Sequence, residues 1–422
     1  MARIEKIFGR EVLDSRGNPT VETDVTLEGG ILGRFMVPSG ASKGIYEAVE
    51  IRDGGKRFMG EGVQRAVKAV SSIINKAASG KDFSNQKELD QVLLRLDGTK
   101  NKSKLGANAI LSVSIAFARA LAQAKKQPLA EYVHEILPAN KMCLPVPFSN
   151  LINGGKHAGT SLKFQEFMIA PHGAKSFAHA TQITSEIYHS LKVKISLKYG
   201  KSSINVGDEG GFTPPITKPE EALALLEETI ESLGYQKEAG IAMDVAASEF
   251  FENGKYNLEK PYSGGELMDY YTSLIKSFGI ISIEDPFDQD DFSSFAALTK
   301  KVGRKVQIVG DDLLTTNTER IRKAIKEKAC VALLLKVNQI GTLTEALDAA
   351  KMAFDANWNV MVSHRSGETE DAFIADLAVG IGCGQIKLGA PCRGERCSKF
   401  NQLLRLEESM KGKAQYWRPK NA

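Results

Sequence analysis

No apolar run in the chain approaches the ~20 residues that a membrane-crossing helix needs; the richest, Ala329 to Leu335, has seven. The first ten residues, MARIEKIFGR, carry charge throughout and lack the apolar stretch of a secretion signal. Cysteine is scarce and odd in number, five in all (Cys143, Cys330, Cys383, Cys392 and Cys397). Reduced thiols are therefore expected. The last three contain neither a CxxC pair nor a neighbouring histidine, which argues against a zinc site. Neither charge sign dominates, with 55 Lys and Arg against 51 Asp and Glu, and no basic block is interleaved with aromatics. A nucleic-acid partner is not expected. A soluble, cytoplasmic chain without a membrane span is.

What is present fits a folded protein of two domains, one of them large. The 422 residues are 42% hydrophobic and 25% charged, close to the globular average. Over residues 1–135, three extended segments come first, Ile4 to Leu13, Thr20 to Leu27 and Ile31 to Val37, parted by Asn18-Pro19 and Gly29-Gly30. That is the spacing of an antiparallel meander. Helical patterns follow at Gly62 to Ala78 and Asn108 to Ala124. Strands segregated from helices predict an α+β domain.

The Pro-containing LPVPF at 144–148 marks the start of a second unit, placed at 142–422, in which short apolar runs alternate with helical ones. Candidate strands are VPFSNLI (146–152), EFMIA (166–170), SINV (203–206), GIAMD (240–244), IISIE (280–284), VQIVGD (306–311), ALLLK (332–336), NVMVSH (359–364) and QIK (385–387). SINV runs straight into glycines and prolines and is taken as a loop, leaving eight. Repeated strand–helix units of this number predict a closed α/β barrel. The first two strands are joined by NGGKHAGTSLKFQ, which has no helical periodicity. A parallel crossover normally needs a helix, so the second strand is expected to run antiparallel.

What ends each strand carries the chemistry. Asp244, Glu284, Asp311, Lys336, His364 and Lys387 close six consecutive strands, spaced 23 to 40 residues apart. In such barrels catalytic groups gather at the C-terminal mouth. Glu166 opens the antiparallel strand and reaches the same face. Each residue alone reads as a helix cap or a solvated loop charge; six in succession do not. Asp244, Glu284 and Asp311 offer three hard carboxylates, the donor type of Mg²⁺. Lys336, Arg365 and Lys387 imply a small anionic substrate, with Arg365 and Ser366 suited to phosphate. The set fits proton abstraction beside a carboxylate and loss of a leaving group. A GxGxG at Gly380 to Gly384 precedes a strand instead of following one and is discarded as a nucleotide motif.

At these residues the sequence resembles the enolase family. The matching segments are DSRGNPTVE (14–22), VPSGAS (37–42), QEFMIAP (165–171), NVGDEGG (205–211), SIEDPF (282–287), GDDL (310–313), LLLKVNQIGT (333–342), SHRSGETED (363–371), GQIK (384–387), GAP (389–391) and NQLLR (401–405). The resemblance implies reversible, Mg²⁺-dependent dehydration of 2-phosphoglycerate to phosphoenolpyruvate, a glycolytic step. It implies Lys336 as the base at C2 and Glu209 as the acid for the 3-hydroxyl, with Glu166 and His157 beside it. Asp244, Glu284 and Asp311 would hold one Mg²⁺, and Ser42 a second. Arg365 and Ser366 would hold phosphate, His364 and Lys387 would contact substrate, and Gln165 would support the metal shell. A homodimer or octamer is implied as well. A lysine base with one or two Mg²⁺ ions is the known pattern of the enolase superfamily, and it is taken over from that resemblance, not deduced from residue spacing.

Three positions depart from the pattern: Lys43 for the usual Thr, Leu388 for Thr after Lys387, and Gly394 with its neighbouring cysteines. None is a catalytic group. A +2 ion ~4 Å from Lys336 in a dielectric of ~20 would lower its pKa by roughly 8 kcal/mol, about six units, of which a third suffices. Two other readings use the same residues, a related lyase or racemase and a non-catalytic binding protein. The first does not require Glu209 and SHRS together, and the second would have lost a ligand or Lys336.

Overall fold

The computed structural model describes residues 2–41, 44–303 and 305–418, and the backbone but not the side chain of His157. Ser42 and Lys43 lie outside the described residues.

The N-terminal meander forms from Ala2–Leu13, Pro19–Leu27 and Ile31–Met36, all antiparallel. A short strand missed by the sequence reading, Asp82–Phe83, joins the free edge of the first. The inward face buries Ile4 and Ile7, on either side of a pairing irregularity between Ile4 and Lys6, Val21 and Val25 on the next strand and Phe35 on the third. The helix Ala107–Ala124 lies on that face. Its approach is close: a Cβ on Gly33 would stand 1.9 Å from the Ala116 carbonyl oxygen, so only glycine fits there. This helix is also long and apolar enough to cross a membrane, at mean hydropathy 1.3, but 83% of it is buried. Packing on the sheet accounts for its composition.

The helix expected at 62–78 is present with a π-helical stretch, Ala69–Ile74, between α-turns Gln64–Lys68 and Asn75–Ala78. From it, Ser71 and Asn75 accept the N–H groups of Gly9 and Ile7 on the first strand. Two further helices, Gln86–Asp97 and Leu129–Ile136, escaped the sequence reading. The first was legible from its ends, an Asn85 N-cap that accepts the Glu88 N–H and a left-handed Gly98.

The barrel closes with its strands in chain order: Val146–Asn153, Glu166–Ala170, Gly240–Asp244, Ile280–Glu284, Gln307–Gly310, Ala332–Leu335, Asn359–Ser363 and Gly384–Lys387. Glu166–Ala170 is antiparallel to both neighbours, and the other pairs are parallel. The segment before it holds a single 3₁₀ turn, Gly155–His157. SINV is no strand: Lys201–Ile204 is a 3₁₀ turn. The strands are buried on both faces, as a helix-wrapped parallel sheet requires.

The N-terminal region docks on the barrel through polar contacts. Asp90 accepts from Gln86 and Ser114 on one side and from the Thr344 N–H and hydroxyl, at 3.0 and 2.6 Å, on the other. Ser39 and Gly367 exchange backbone hydrogen bonds of 2.8 Å. That second contact carries the N-terminal loop to the barrel mouth.

Candidate active site

Register brings the carboxylates together before any side chain is considered. Glu166 stands opposite Asp244 in the antiparallel pair, and Asp244 beside Glu284 in the next. Paired residues on adjacent strands lie about 5 Å apart, so three acids crowd one rim. Lys387, from the strand Gly384–Lys387, extends its ammonium among them. Its Nζ donates at 2.9 Å to both oxygens of Glu284, at 3.1 Å to Asp244, and stands 3.1 Å from Glu166. Burial works against the lysine's charge, but these acids outweigh it and raise its pKa well above the usual value. Glu284 is pushed up, first by burial and then by Asp244, with Lys387 opposing. Three carboxylates, Glu166, Asp244 and Glu284, share the one ammonium of Lys387, so negative charge is in excess there.

Asp311 follows the strand Gln307–Gly310 and pairs with the Lys336 ammonium, while Gln339 donates to its other oxygen at 2.9 Å. Burial alone would raise Asp311, yet Lys336 pulls it below the usual carboxylate value. Lys336 is raised in turn: burial lowers it and Asp311 prevails. Asp311 thus holds Lys336 as an ammonium.

Glu209 is 2% exposed and accepts from Asn150 at 3.1 Å. His364 Nε2 lies 3.5 Å from the same Glu209 oxygen. Burial, with Arg396 adding to it and Glu209 opposing, lowers His364 to about 3, so the ring is neutral. Arg365 grips Glu47 with both ends of its fork at 3.1 Å and donates to Asn338 at 2.8 Å. Burial opposes its charge and Glu47 more than restores it. The Ser366 hydroxyl accepts the Ala41 N–H at 2.6 Å.

A small cleft opens among these groups, lined by Gln165, Glu166, Glu209, Asp244, Lys336 and His364 and also by Gly40, Arg365, Ser366 and Lys387. Every described residue of the sequence set except Glu284 and Asp311 borders it. Those two are each paired with a lysine that does. Ser42 and the His157 side chain are outside the described residues.

The donor set suits a hard cation. Asp244, Glu284 and Asp311 supply oxygen only, negative charge is in excess around Glu284, and Gln165 Oε1 is buried without a partner among the described residues while its amide donates to Asp244. A tighter oxygen cluster, Asp285, Asp311 and Asp312, lies within 4.8 Å. Asp285 spends both oxygens on the backbone N–H groups of Asp311 and Asp312, at 2.9 and 2.6 Å. It braces the loop that presents Asp311, so both its oxygens are already engaged by backbone.

Sequence reasoning missed Asn150, Glu47, Gln339 and Arg396. Asn150, a polar residue inside an apolar strand, was a readable signal. Gln339 sits three residues beyond Lys336 in a segment already singled out. Glu47 and Arg396 gave none, since charged residues in loops and helices are ordinarily solvated.

Comparison with known proteins agrees with this fold. The family description "Enolase, N-terminal domain" matches residues 4–133 and "Enolase, C-terminal TIM barrel domain" matches residues 141–421. Among similar proteins, Enolase of Solanum lycopersicum is 53% identical over 432 residues, 99% of this chain and 97% of that protein. Enolase of Methanocaldococcus jannaschii is 54% identical, covering 96% of this chain and 95% of the relative. Enolase of Pyrococcus furiosus is 55% identical, covering 97% and 96%. Plant and archaeal relatives thus match along nearly the whole chain at similar identity, and the chain belongs to the enolase family of lyases.

Proposed function

We propose that this chain catalyses the reversible dehydration of 2-phosphoglycerate to phosphoenolpyruvate in glycolysis and gluconeogenesis, with Lys336 as base and Glu209 as acid. The observation that carries the reading is one small cleft lined by both Lys336 and the Glu209–His364 pair. Lys336 follows the strand Ala332–Leu335, whereas Glu209 lies in the 205–211 loop and is held by Asn150 of the strand Val146–Asn153, three places away round the eight-strand ring. A base and an acid approaching from different sides suit a proton and a hydroxyl leaving different carbons.

In this reading Lys336, once neutral, takes the proton from C2. The electron pair left behind spreads into the substrate carboxylate, and as the C3–O bond breaks Glu209 delivers its proton to the departing oxygen as water. Glu166 and His157 are assigned to assist Glu209, His364 and Lys387 to contact the substrate, and Gln165 to support the carboxylate rim. Arg365 and Ser366 take the phosphate, which requires Arg365 to share or exchange its bidentate hold on Glu47. Asp244, Glu284 and Asp311 would hold one Mg²⁺ and Ser42 would serve a second. Such ions would neutralise substrate charge and compete with Lys336 for the Asp311 carboxylate. Division of the chain at 1–135 and 142–422, a cytoplasmic location and assembly as a homodimer or octamer belong to the same reading.

The test is conversion of 2-phosphoglycerate followed by ultraviolet absorbance, before and after EDTA and again with Mg²⁺ restored. Activity should vanish with chelation and return with the ion. Undiminished turnover in chelated protein would remove the metal assignment, and no conversion under any condition would remove the reaction.

A further inference from the structure

Arg396 is fully buried, and its guanidinium holds two separate loops together. Its Nη1 donates to His364 Nδ1 at 2.7 Å and to the Arg365 carbonyl at 2.6 Å. Its Nη2 donates to the carbonyls of Asp208 at 2.9 Å and Ser366 at 2.5 Å. The nearest carboxylate, on Glu395, lies 3.6 Å from Nε. Gly389 makes room for the junction: its φ is +80°, and a Cβ there would meet the Glu209 carbonyl at 2.6 Å, His364 at 3.0 Å and the Arg396 stem at 3.1 Å.

Donor counting fixes the imidazole. A guanidinium has only donors, so the ring nitrogen it touches must present a lone pair. With Nδ1 accepting, a neutral ring carries its proton on Nε2, and a doubly protonated ring would set N–H against N–H. Nε2 is the atom 3.5 Å from Glu209. We propose that Arg396 is a positioning residue that fixes His364 as the neutral Nε2–H tautomer, a donor toward Glu209 and the cleft. Resting on the proposed reaction, this gives the pair a direction. His364 cannot receive the proton of Glu209, which is left to the departing oxygen. The charged groups facing the ring are Glu209 from the 205–211 loop, Lys387 from its strand and Arg396 from the last long helix.

The tautomer can be read without substrate. In the whole protein with ¹⁵N-labelled histidine, the signals of His364, assigned by comparison with His364→Gln, should show a protonated Nε2 and a bare Nδ1. They should not titrate between pH 5 and 8. In Arg396→Met, which removes the donors, the ring should populate the Nδ1–H form or titrate in that window. Dehydration should fall by ~10²-fold, the scale of a mis-set acid, while C2 hydrogen exchange persists. Arg396→Lys should restore the tautomer and much of the rate. A merely structural role would depress exchange and dehydration alike and leave the ring unchanged. A protonated Nδ1, or an ordinary titration, in the unsubstituted protein would overturn the inference whether or not Arg396→Met folds. The expected tautomer in a protein that does not turn over 2-phosphoglycerate would defeat the proposed function and leave the lock standing.

Discussion

In their proposed roles Lys336 and Glu209 carry opposite demands, and they are held by different means. Lys336 keeps its proton because Asp311 outweighs burial, and it can act as a base only when that carboxylate is engaged elsewhere. Glu209 sits between the Asn150 amide and the neutral ring of His364. If the roles are as proposed, Lys336→Ala should abolish both dehydration and exchange of the C2 hydrogen with deuterated water. Glu209→Gln keeps the shape and loses the acid. Dehydration should fall by ~10²–10⁴-fold while C2 exchange survives. Equal loss of exchange in both variants would mean that the two roles are merged. Substrate binding should persist in each, since Arg365, Lys387 and the carboxylates of the rim are untouched.

The helices outside the barrel contain a titration of their own. Asp376, on the helix Phe373–Gly380, accepts from Gln402 on the helix Gly394–Ser409 at 3.1 and 3.3 Å. Burial pushes it up to about 6, with Arg119 opposing. A carboxyl raised in the fold binds its proton more tightly there than in the unfolded chain. Its ionisation therefore costs stability above pH 6, and the cost is relieved as pH falls toward 4. Asp376→Asn should stabilise the protein at pH 7.5 by roughly 1–3 kcal/mol, with the gain fading by pH 4.5. Urea unfolding at the two pH values measures it. A gain independent of pH would show that the carboxyl is not the cause.

At the scale of the molecule, docking of the N-terminal region is what completes the site. The 39–41 segment reaches Ser366 and Gly367, and Glu47 reaches Arg365. Asp90 is the buried link behind this, joining the helix Gln86–Asp97 to the first turn of the barrel helix Leu343–Asp355. Removing it leaves the Thr344 N–H and the Ser114 hydroxyl short of a partner, at ~2–4 kcal/mol. In Asp90→Ala, calorimetry should show a lower Tm and a transition broadened or split, as the N-terminal region melts before the barrel. Activity should fall with it at temperatures where the barrel is still folded. A single transition at unchanged Tm would show that the link contributes nothing to docking.

The strand–helix alternation, the polar residue at each strand end and the antiparallel second strand were all legible in sequence. A strand's period and length are local properties, and the barrel mouth follows from them. The helix Gln86–Asp97 was legible too, from Asn85 and Gly98, though it went unread. Which acid meets which cation was not. The sequence offered three carboxylates for one centre, and the fold sets Lys387 among Asp244, Glu284 and Glu166 and gives Asp311 to Lys336. Partners brought from 25 to 221 residues away are chosen by barrel register and desolvation, neither of which is written in local pattern. Arg396 shows the limit best. Its charge says surface, and only the meeting of the 205–211 loop, the 363–367 loop and the last long helix makes it a buried donor to His364.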